Sequence, residues 1–133
     1  MLNMNLKHLM NLSTAKKFPK NSVIISEGDS QPYSMYFLLS GSVRVVKNYG
    51  GYNQVVVATL NKGDFFGEMS LFLLKPRSAT VVTADETVAL EITQLNVYEL
   101  IEKNPQVLYH ILKVLCTRID NLNDRVRSLP PRH

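Results

Sequence analysis

Apolar residues in the middle of the chain fall in short runs that are rich in β-branched and aromatic side chains. Glycine-containing turn sequences separate these runs at intervals of about 8 to 14 residues, a spacing typical of small antiparallel barrels and rolls. The pattern therefore predicts a series of strands that pair through tight turns. The runs are residues 23–25, 36–39, 43–46, 55–60, 80–83 and 88–92.

Apolar residues at helical spacing replace the strand pattern at both ends of the chain. At the N-terminus they predict a helix and a turn within residues 1–18, before a β-barrel or β-roll over residues 19–93. At the C-terminus they predict two helices within residues 94–129, the second of which begins near Pro105, a residue suited to a first helical turn. We therefore expect a single, mainly β domain over residues 1–133. The N-terminal apolar positions are Leu2, Leu6, Leu9 and Met10.

The last helix carries the most regular apolar pattern in the chain, an a/d heptad whose spacings alternate between four and three residues. Two of its three a positions are β-branched and every d position is leucine, a combination that favours parallel pairing of two chains. Val107, Ile111 and Val114 widen the apolar face of the first half, which is expected to pack on the roll. After Thr117 only the heptad positions remain apolar, and we interpret them as a homodimer contact; the alternative is a helix that lies wholly on its own domain. These positions, called the heptad seam below, are Leu108, Leu112, Leu115, Ile119, Leu122, Val126 and Leu129.

The 133 residues carry a formal net charge of +4, but the basic residues are dispersed. We therefore interpret the charge as a solvated surface and not as a nucleic-acid interface. The three histidines lie far apart and Cys116 is the single cysteine, so no metal site is expected; Cys116 itself is expected to be a buried thiol. No apolar run is long enough to span a bilayer and no signal-like segment begins the chain, which predicts a cytoplasmic protein without membrane contact.

Residues 66–81 contain the side chains with the most specific chemistry. Gly67 and Glu68 begin a predicted helix of one to two turns, and Arg77 and Ser78 follow it just before a strand. Backbone N–H groups at a helix start suit a phosphate oxygen, and an arginine can bind two oxygens of one phosphate. A carboxylate can accept a hydrogen bond from a sugar hydroxyl. The pattern therefore predicts a compact site for a sugar joined to one phosphate.

This stretch resembles the phosphate-binding cassette of the cyclic nucleotide-binding domain family. The resemblance rests on Phe-Gly-Glu-Met-Ser-Leu at residues 66–71 and Pro-Arg-Ser-Ala at residues 76–79, and it extends over about residues 15–128. It implies a cassette over residues 66–80 within an antiparallel, jelly-roll-like β-roll (a double-stranded β-helix) that is flanked by helices. Further matching segments are residues 27–29, 35–43 and 62–66.

The resemblance also implies roles for single residues. Arg77 would bind the exocyclic oxygens of a cyclic phosphate, and Glu68 would accept a hydrogen bond from the ribose 2′-hydroxyl. A purely structural alternative is an ion pair between these two side chains. On the last helix, Asn123 takes one of two positions at which activator members of the family read adenine, whereas Leu122 at the other position cannot form a hydrogen bond. The other residues expected to line the site are Phe66, Gly67, Met69, Ser70, Ser78 and Ala79.

The function implied by the resemblance is a regulatory sensor domain that binds a cyclic nucleotide and is not an enzyme. Cyclic AMP is expected ahead of cyclic GMP, no cofactor is expected, and binding would move the last helix and so act on an effector protein. No recognition helix follows the last helix, so this chain is not expected to bind DNA directly. Two alternatives remain open: an interaction module that has lost its ligand, and the ligand-sensing fragment of a transcription regulator without its DNA-binding domain.

Overall fold

The computed structural model describes residues 14–31 and 33–129. The predicted N-terminal helix falls mostly within residues 1–13, outside the described residues. Within them, two antiparallel sheets of four strands each form a β-roll with helices at its C-terminal end, which confirms the predicted fold class. The strands are β1 (Thr14–Phe18), β2 (Val23–Ile25), β3 (Ser34–Ser40), β4 (Ser42–Lys47), β5 (Val55–Asn61), β6 (Phe65–Phe66), β7 (Thr80–Thr83) and β8 (Thr87–Thr93). The helices are α1 (Glu68–Leu73), α2 (Gln94–Lys103) and α3 (Pro105–Ser128).

Strand β3 lies between two hydrophobic cores. The first sheet has the strand order β1-β8-β3-β6 and the second has the order β2-β7-β4-β5. Because successive side chains of a strand point to opposite faces, Tyr36 and Leu38 pack between the sheets, while Met35 and Phe37 pack against the helices. All four side chains are buried. The first sheet is therefore covered on both faces, and the site described below is lined by residues of both sheets.

Strands β1 and β6 are present in the structure but were not predicted. Residues 14–18, which the sequence places in an N-terminal helix and turn, pair with β8 instead, so the prediction is wrong for this segment. Lys16 and Lys17 resemble a solvated connector, but β1 is an edge strand, where lysines are tolerated. Lys16 also forms an ion pair of 2.7 Å with Glu91 on β8. Strand β6 has only two residues and leaves no periodic pattern to read.

The apolar side chains with which helix α3 packs on the roll are in its first half. Val107 and Ile111 are buried in the core between the helices and the first sheet. Farther along, Ile119 and Val126 of the heptad seam are 57% and 67% exposed. Cys116 is also exposed, so the expectation of a buried thiol is wrong. Among the helices that the structure describes, none is long and apolar enough to cross a membrane.

Candidate functional site

Gly67 makes the turn that joins β6 to helix α1. Its φ is 85°, in the left-handed region that L side chains rarely adopt. A Cβ atom at this position would lie 2.9 Å from Nη1 of Arg77 and 2.9 Å from the carbonyl oxygen of Ser34. The glycine therefore serves both the turn and the close approach of Arg77.

Arg77 is buried, with 6% of its surface exposed, although it carries a formal charge. Its Nη1 donates to the carbonyl oxygen of Ser34 at 2.8 Å and to that of Gly67 at 3.2 Å. Its backbone is held as well, because its N–H donates to the carbonyl of Asp29 at 2.7 Å and its own carbonyl accepts from Gly28 at 2.8 Å. The position and direction of the guanidinium are thus set by backbone groups of three different segments.

Burial lowers the pKa of Arg77 below its ordinary value, and the nearby Tyr36, Glu91 and Asp29 act in the opposite direction. An arginine stays protonated under all ordinary conditions. The charge at this position is therefore permanent, and burial makes its interaction with an anion stronger than it would be in water.

A cavity of about 360 Å³ lies beside the cassette, between the two sheets and helix α3. Small-molecule sites typically have volumes of about 300–1,000 Å³, so the cavity has room for a ligand of nucleotide class. Its apolar lining comes from both sheets and consists of Ile25, Val45, Ala58, Leu60, Phe65 and Val81. The sequence-predicted residues that line it are Phe66, Gly67, Glu68, Met69, Ser70, Arg77, Ser78 and Ala79.

Asn123 is the one predicted site residue that the structure does not bring to the cavity. It lies on the exposed second half of α3 and is not among the residues that line the cavity. In the arrangement described, helix α3 reaches the cavity through Arg118 instead.

Arg118 is a site residue that the sequence reading missed. Its Nη1 lies 2.7 Å from Oε1 of Glu68, and its Nη2 donates to the carbonyl oxygen of Phe65 at 3.1 Å. Its guanidinium carbon also lies 4.9 Å from the centre of the Phe65 ring, a cation–π distance. The ion pair of Glu68 is therefore with Arg118, unlike the pairing with Arg77 in the purely structural alternative. A signal was present, since Arg118 continues the packing face of Ile111 and Val114 at a spacing of seven and four residues.

Metal ligands are not gathered at this cavity. Among the described residues, no group of three or more His, Cys, Asp or Glu side chains is placed to hold a metal ion. The charged side chains that line the cavity are Glu68, Arg77 and Arg118. Together with the serine hydroxyls they can bind a phosphate and a sugar.

Comparisons with known proteins agree with this chemistry. A family model described as cyclic nucleotide-binding domain matches residues 15–104. The cAMP-activated global transcriptional regulator CRP of Pasteurella multocida (strain Pm70) is 34% identical over 115 residues, which cover 85% of this chain and 54% of that protein. The chain belongs to the cyclic nucleotide-binding domain family, and it spans about half the length of curated relatives such as this one.

Solved structures show the same fold. The catabolite activator protein of Thermus thermophilus superimposes with a TM-score of 0.81 at 25% identity, over 92% of this chain and 57% of that one. A cyclic nucleotide-binding domain from Methylobacillus flagellatus superimposes with a TM-score of 0.78 at 25% identity, over 96% of this chain and 75% of that one. The β-roll and its C-terminal helices are thus the architecture of this family.

Proposed function

We propose that this chain is a cytoplasmic regulatory domain that binds cyclic AMP in the cavity beside the cassette and does not turn it over. The observation that carries the proposal is the buried guanidinium of Arg77, held in the cavity wall by the carbonyls of Ser34 and Gly67. A cyclic phosphate has one negative charge and two exocyclic oxygens, which match the charge and the fork of an arginine.

The other polar groups of the cavity suit the sugar. Glu68 has a side chain that is only 10% exposed, and as an ionised carboxylate it can only accept hydrogen bonds. A ribose hydroxyl would donate to it. The serine hydroxyl of Ser78 adds a further donor next to Arg77 in the chain. The apolar residues Val45, Ala58 and Leu60 offer a surface on which a purine ring would be removed from water.

Helix α3 would respond to the ligand through Arg118. This side chain is the contact of α3 with the carboxylate that would also bind the ribose, so a ligand at Glu68 changes the surroundings of the ion pair. If α3 has a second placement in which the domain binds the ligand with a different affinity, binding shifts the populations of the two placements. We propose this shift as the regulatory output of the domain.

The exposed half of the heptad seam supports assembly into a homodimer. Ile119, Leu122 and Val126 are each more than half exposed at a spacing that suits a parallel pair of helices. Such a contact would join two cavities through their α3 helices. The same seam also favours the second candidate function, an interaction module that retains the roll but binds no ligand.

Isothermal titration calorimetry separates the two functions. We expect the chain to bind cyclic AMP with micromolar or better affinity, to bind cyclic GMP more weakly, and not to bind linear 5′-AMP measurably. Arg77→Leu should abolish binding of both cyclic nucleotides, because hydrogen bonds to charged groups contribute about 1.5 to 3 kcal/mol each.

The matched control is Arg44→Leu, which removes an exposed arginine from β4 that does not line the cavity. It should bind like the unmodified chain. Absence of heat and of any thermal stabilisation by millimolar cyclic nucleotide would favour the interaction module instead. Appearance of 5′-AMP after incubation with cyclic AMP would contradict a purely binding role.

A further inference from the structure

A largely buried carboxylate lies outside the cavity, at the junction of three strands. Glu91 on β8 has a side chain that is 13% exposed and does not line the cavity. Its Oε2 accepts hydrogen bonds from Oγ of Ser34 and from the hydroxyl of Tyr36, both at 3.0 Å. Its Oε1 lies 2.7 Å from Nζ of Lys16. One carboxylate thus ties β1 and β3 to β8 through side chains.

The hydrogen bond from Ser34 to Glu91 involves a residue that also contacts Arg77. Ser34 donates its hydroxyl to Glu91, and the carbonyl oxygen of the same residue accepts from Nη1 of Arg77 at 2.8 Å. Because both groups belong to one residue at the start of β3, fixing the hydroxyl limits the movement of the carbonyl. Glu91 therefore controls the shorter of the two described carbonyl contacts of Arg77.

The hydrogen bond from Tyr36 to Glu91 supports the carbonyl of Gly67, the other acceptor of Arg77. Tyr36 donates its hydroxyl to Glu91, and its ring is stacked on the ring of Phe66 with centroids 5.3 Å apart and an interplanar angle of 15°. Phe66 directly precedes Gly67, whose carbonyl accepts from Nη1 of Arg77 at 3.2 Å. The two carbonyls that hold Arg77 are thus both supported through the same oxygen of Glu91.

The charge of Glu91, like its hydrogen bonds, stabilises Arg77 in the site. Burial raises the pKa of Glu91, but the hydrogen bonds from Lys16, Ser34 and Tyr36 outweigh it, so that the pKa lies below its ordinary value. Glu91 is accordingly ionised at neutral pH. Its negative charge favours the cationic form of Arg77, from which it is separated by Ser34.

We infer that Glu91 is a positioning residue for the phosphate ligand of this site: it fixes, through Ser34 and Tyr36, the two carbonyls that hold Arg77. The predicted effect of Glu91 on the affinity for a cyclic phosphate rests on the proposed function. The predicted effect of Glu91 on the orientation of Arg77 does not, because it can be measured without any ligand.

The first measurement follows Arg77 in the ligand-free protein. Glu91→Gln keeps the size of the side chain but removes its charge. An amide oxygen is a weaker acceptor for the hydroxyls of Ser34 and Tyr36 than a carboxylate oxygen is, and the amide N–H groups then face Lys16. NMR of the Arg77 guanidinium reports its rotation about the Nε–Cζ bond. We expect this rotation to become at least about tenfold faster in Glu91→Gln, because hydrogen bonds that restrain it are weakened. The control is Glu99→Gln, which removes an exposed carboxylate of α2 that pairs with Lys103, and it should leave the rotation unchanged.

The second measurement is a double-mutant cycle on the affinity for cyclic AMP. Glu91→Gln should weaken binding by about 5- to 20-fold in the unmodified chain, and by less than about 2-fold in an Arg77→Lys background, where the positioned group is absent. A residue that only stabilises the fold would weaken binding equally in both backgrounds. Thermal unfolding of each variant checks that the protein measured is folded.

The outcomes separate the two proposals. Unchanged rotation of Arg77 in Glu91→Gln, or equal losses of affinity in both backgrounds, would overturn the positioning role and leave the proposed function intact. Failure of the unmodified chain to bind any cyclic nucleotide would overturn the proposed function. Faster rotation in that case would still establish that Glu91 orients Arg77.

Discussion

Gly67 and Gly63 have nearly the same backbone conformation but different surroundings. Their φ angles are 85° and 92°. A Cβ on Gly63 would meet nothing within 4 Å, whereas a Cβ on Gly67 would lie 2.9 Å from Nη1 of Arg77 and from the carbonyl oxygen of Ser34. A side chain at Gly63 would be strained only by the left-handed backbone, whereas a side chain at Gly67 would also crowd Arg77. Comparing substitutions at these two positions therefore separates the two effects.

Alanine at each position tests this difference. Both variants should lose about 1–2 kcal/mol of unfolding free energy, because an L side chain is strained in the left-handed region. Gly67→Ala should lose more than that and should also bind cyclic AMP at least about tenfold more weakly, since the methyl group displaces the guanidinium of Arg77. Thermal unfolding and calorimetry measure the two effects. Equal affinity in Gly63→Ala and Gly67→Ala would show that the approach of Arg77 does not depend on the glycine.

At the scale of residues, the sequence predicts site residues that lie close together along the chain and misses contacts between residues that lie far apart along it. Gly67, Glu68 and Arg77 stand within eleven residues of one another, so their spacing alone predicts a shared site. Arg118 contacts Glu68 across 50 residues of chain, and Glu91 contacts Ser34 across 57. Contacts of that separation depend on how the sheets and α3 pack. Helical spacing can place Arg118 on the packing face of α3, but no short pattern identifies Glu68 as its partner.

At the scale of elements, helix α3 has two halves with different surroundings, and Arg118 lies between them. The first half is buried against the roll, and the second half is exposed. Arg118 is 36% exposed at its side chain and pairs with Glu68, which is 10% exposed. The contact between cavity and helix thus falls where the packing of α3 on its own domain ends.

Removal of the Arg118 side-chain charge should uncouple α3 from the cavity. We expect cyclic AMP to change the hydrogen exchange of the backbone amides of residues 115–128 in the unmodified chain. Arg118→Gln should reduce that change by at least half while affinity falls by no more than about tenfold, since a partly exposed ion pair contributes roughly 0.2–1 kcal/mol. The control is Arg125→Gln, an exposed arginine on the same helix. An undiminished ligand-dependent change in Arg118→Gln would exclude this side chain as the coupling contact.

Elements were predicted where they carry a periodic pattern. The six apolar runs correspond to β2, β3, β4, β5, β7 and β8, and the helical spacing corresponds to α2 and α3. Strand β1 was missed because its lysines belong to an edge strand that faces solvent, and its register is fixed by pairing with β8. Strand β6 was missed because Phe65 and Phe66 are only two residues, and tertiary packing decides their conformation.

At the scale of the whole molecule, the heptad seam determines how many copies act together. Ile119 and Leu122 are 57% and 55% exposed, which is unfavourable for an isolated chain in water. A partner helix with the same sequence would cover both side chains.

Substitution of these two residues tests the homodimer. We expect the unmodified chain to sediment as a dimer, and the double variant Ile119→Gln, Leu122→Gln to sediment as a monomer with at least about 100-fold weaker association, because two apolar contacts per chain are lost. The control is Leu95→Gln on α2, which is 93% exposed but lies outside the seam, and it should remain dimeric. A monomeric unmodified chain in analytical ultracentrifugation would contradict the interpretation of the seam.

The central position of β3 also has a consequence for the order in which a folding chain acquires its site. Tyr36 on β3 lies opposite Glu91 on β8, and the bond between their side chains closes a loop of 55 residues. Pairings of such long range form slowly compared with local turns and helices. A truncated chain that stops before β8 would contain every residue of the 66–80 cassette and lack the carboxylate that supports both carbonyl contacts of Arg77. The chain would therefore become able to bind a phosphate only when β8 pairs with β3. A nascent or proteolysed fragment without β8 would not compete with the intact domain for its ligand.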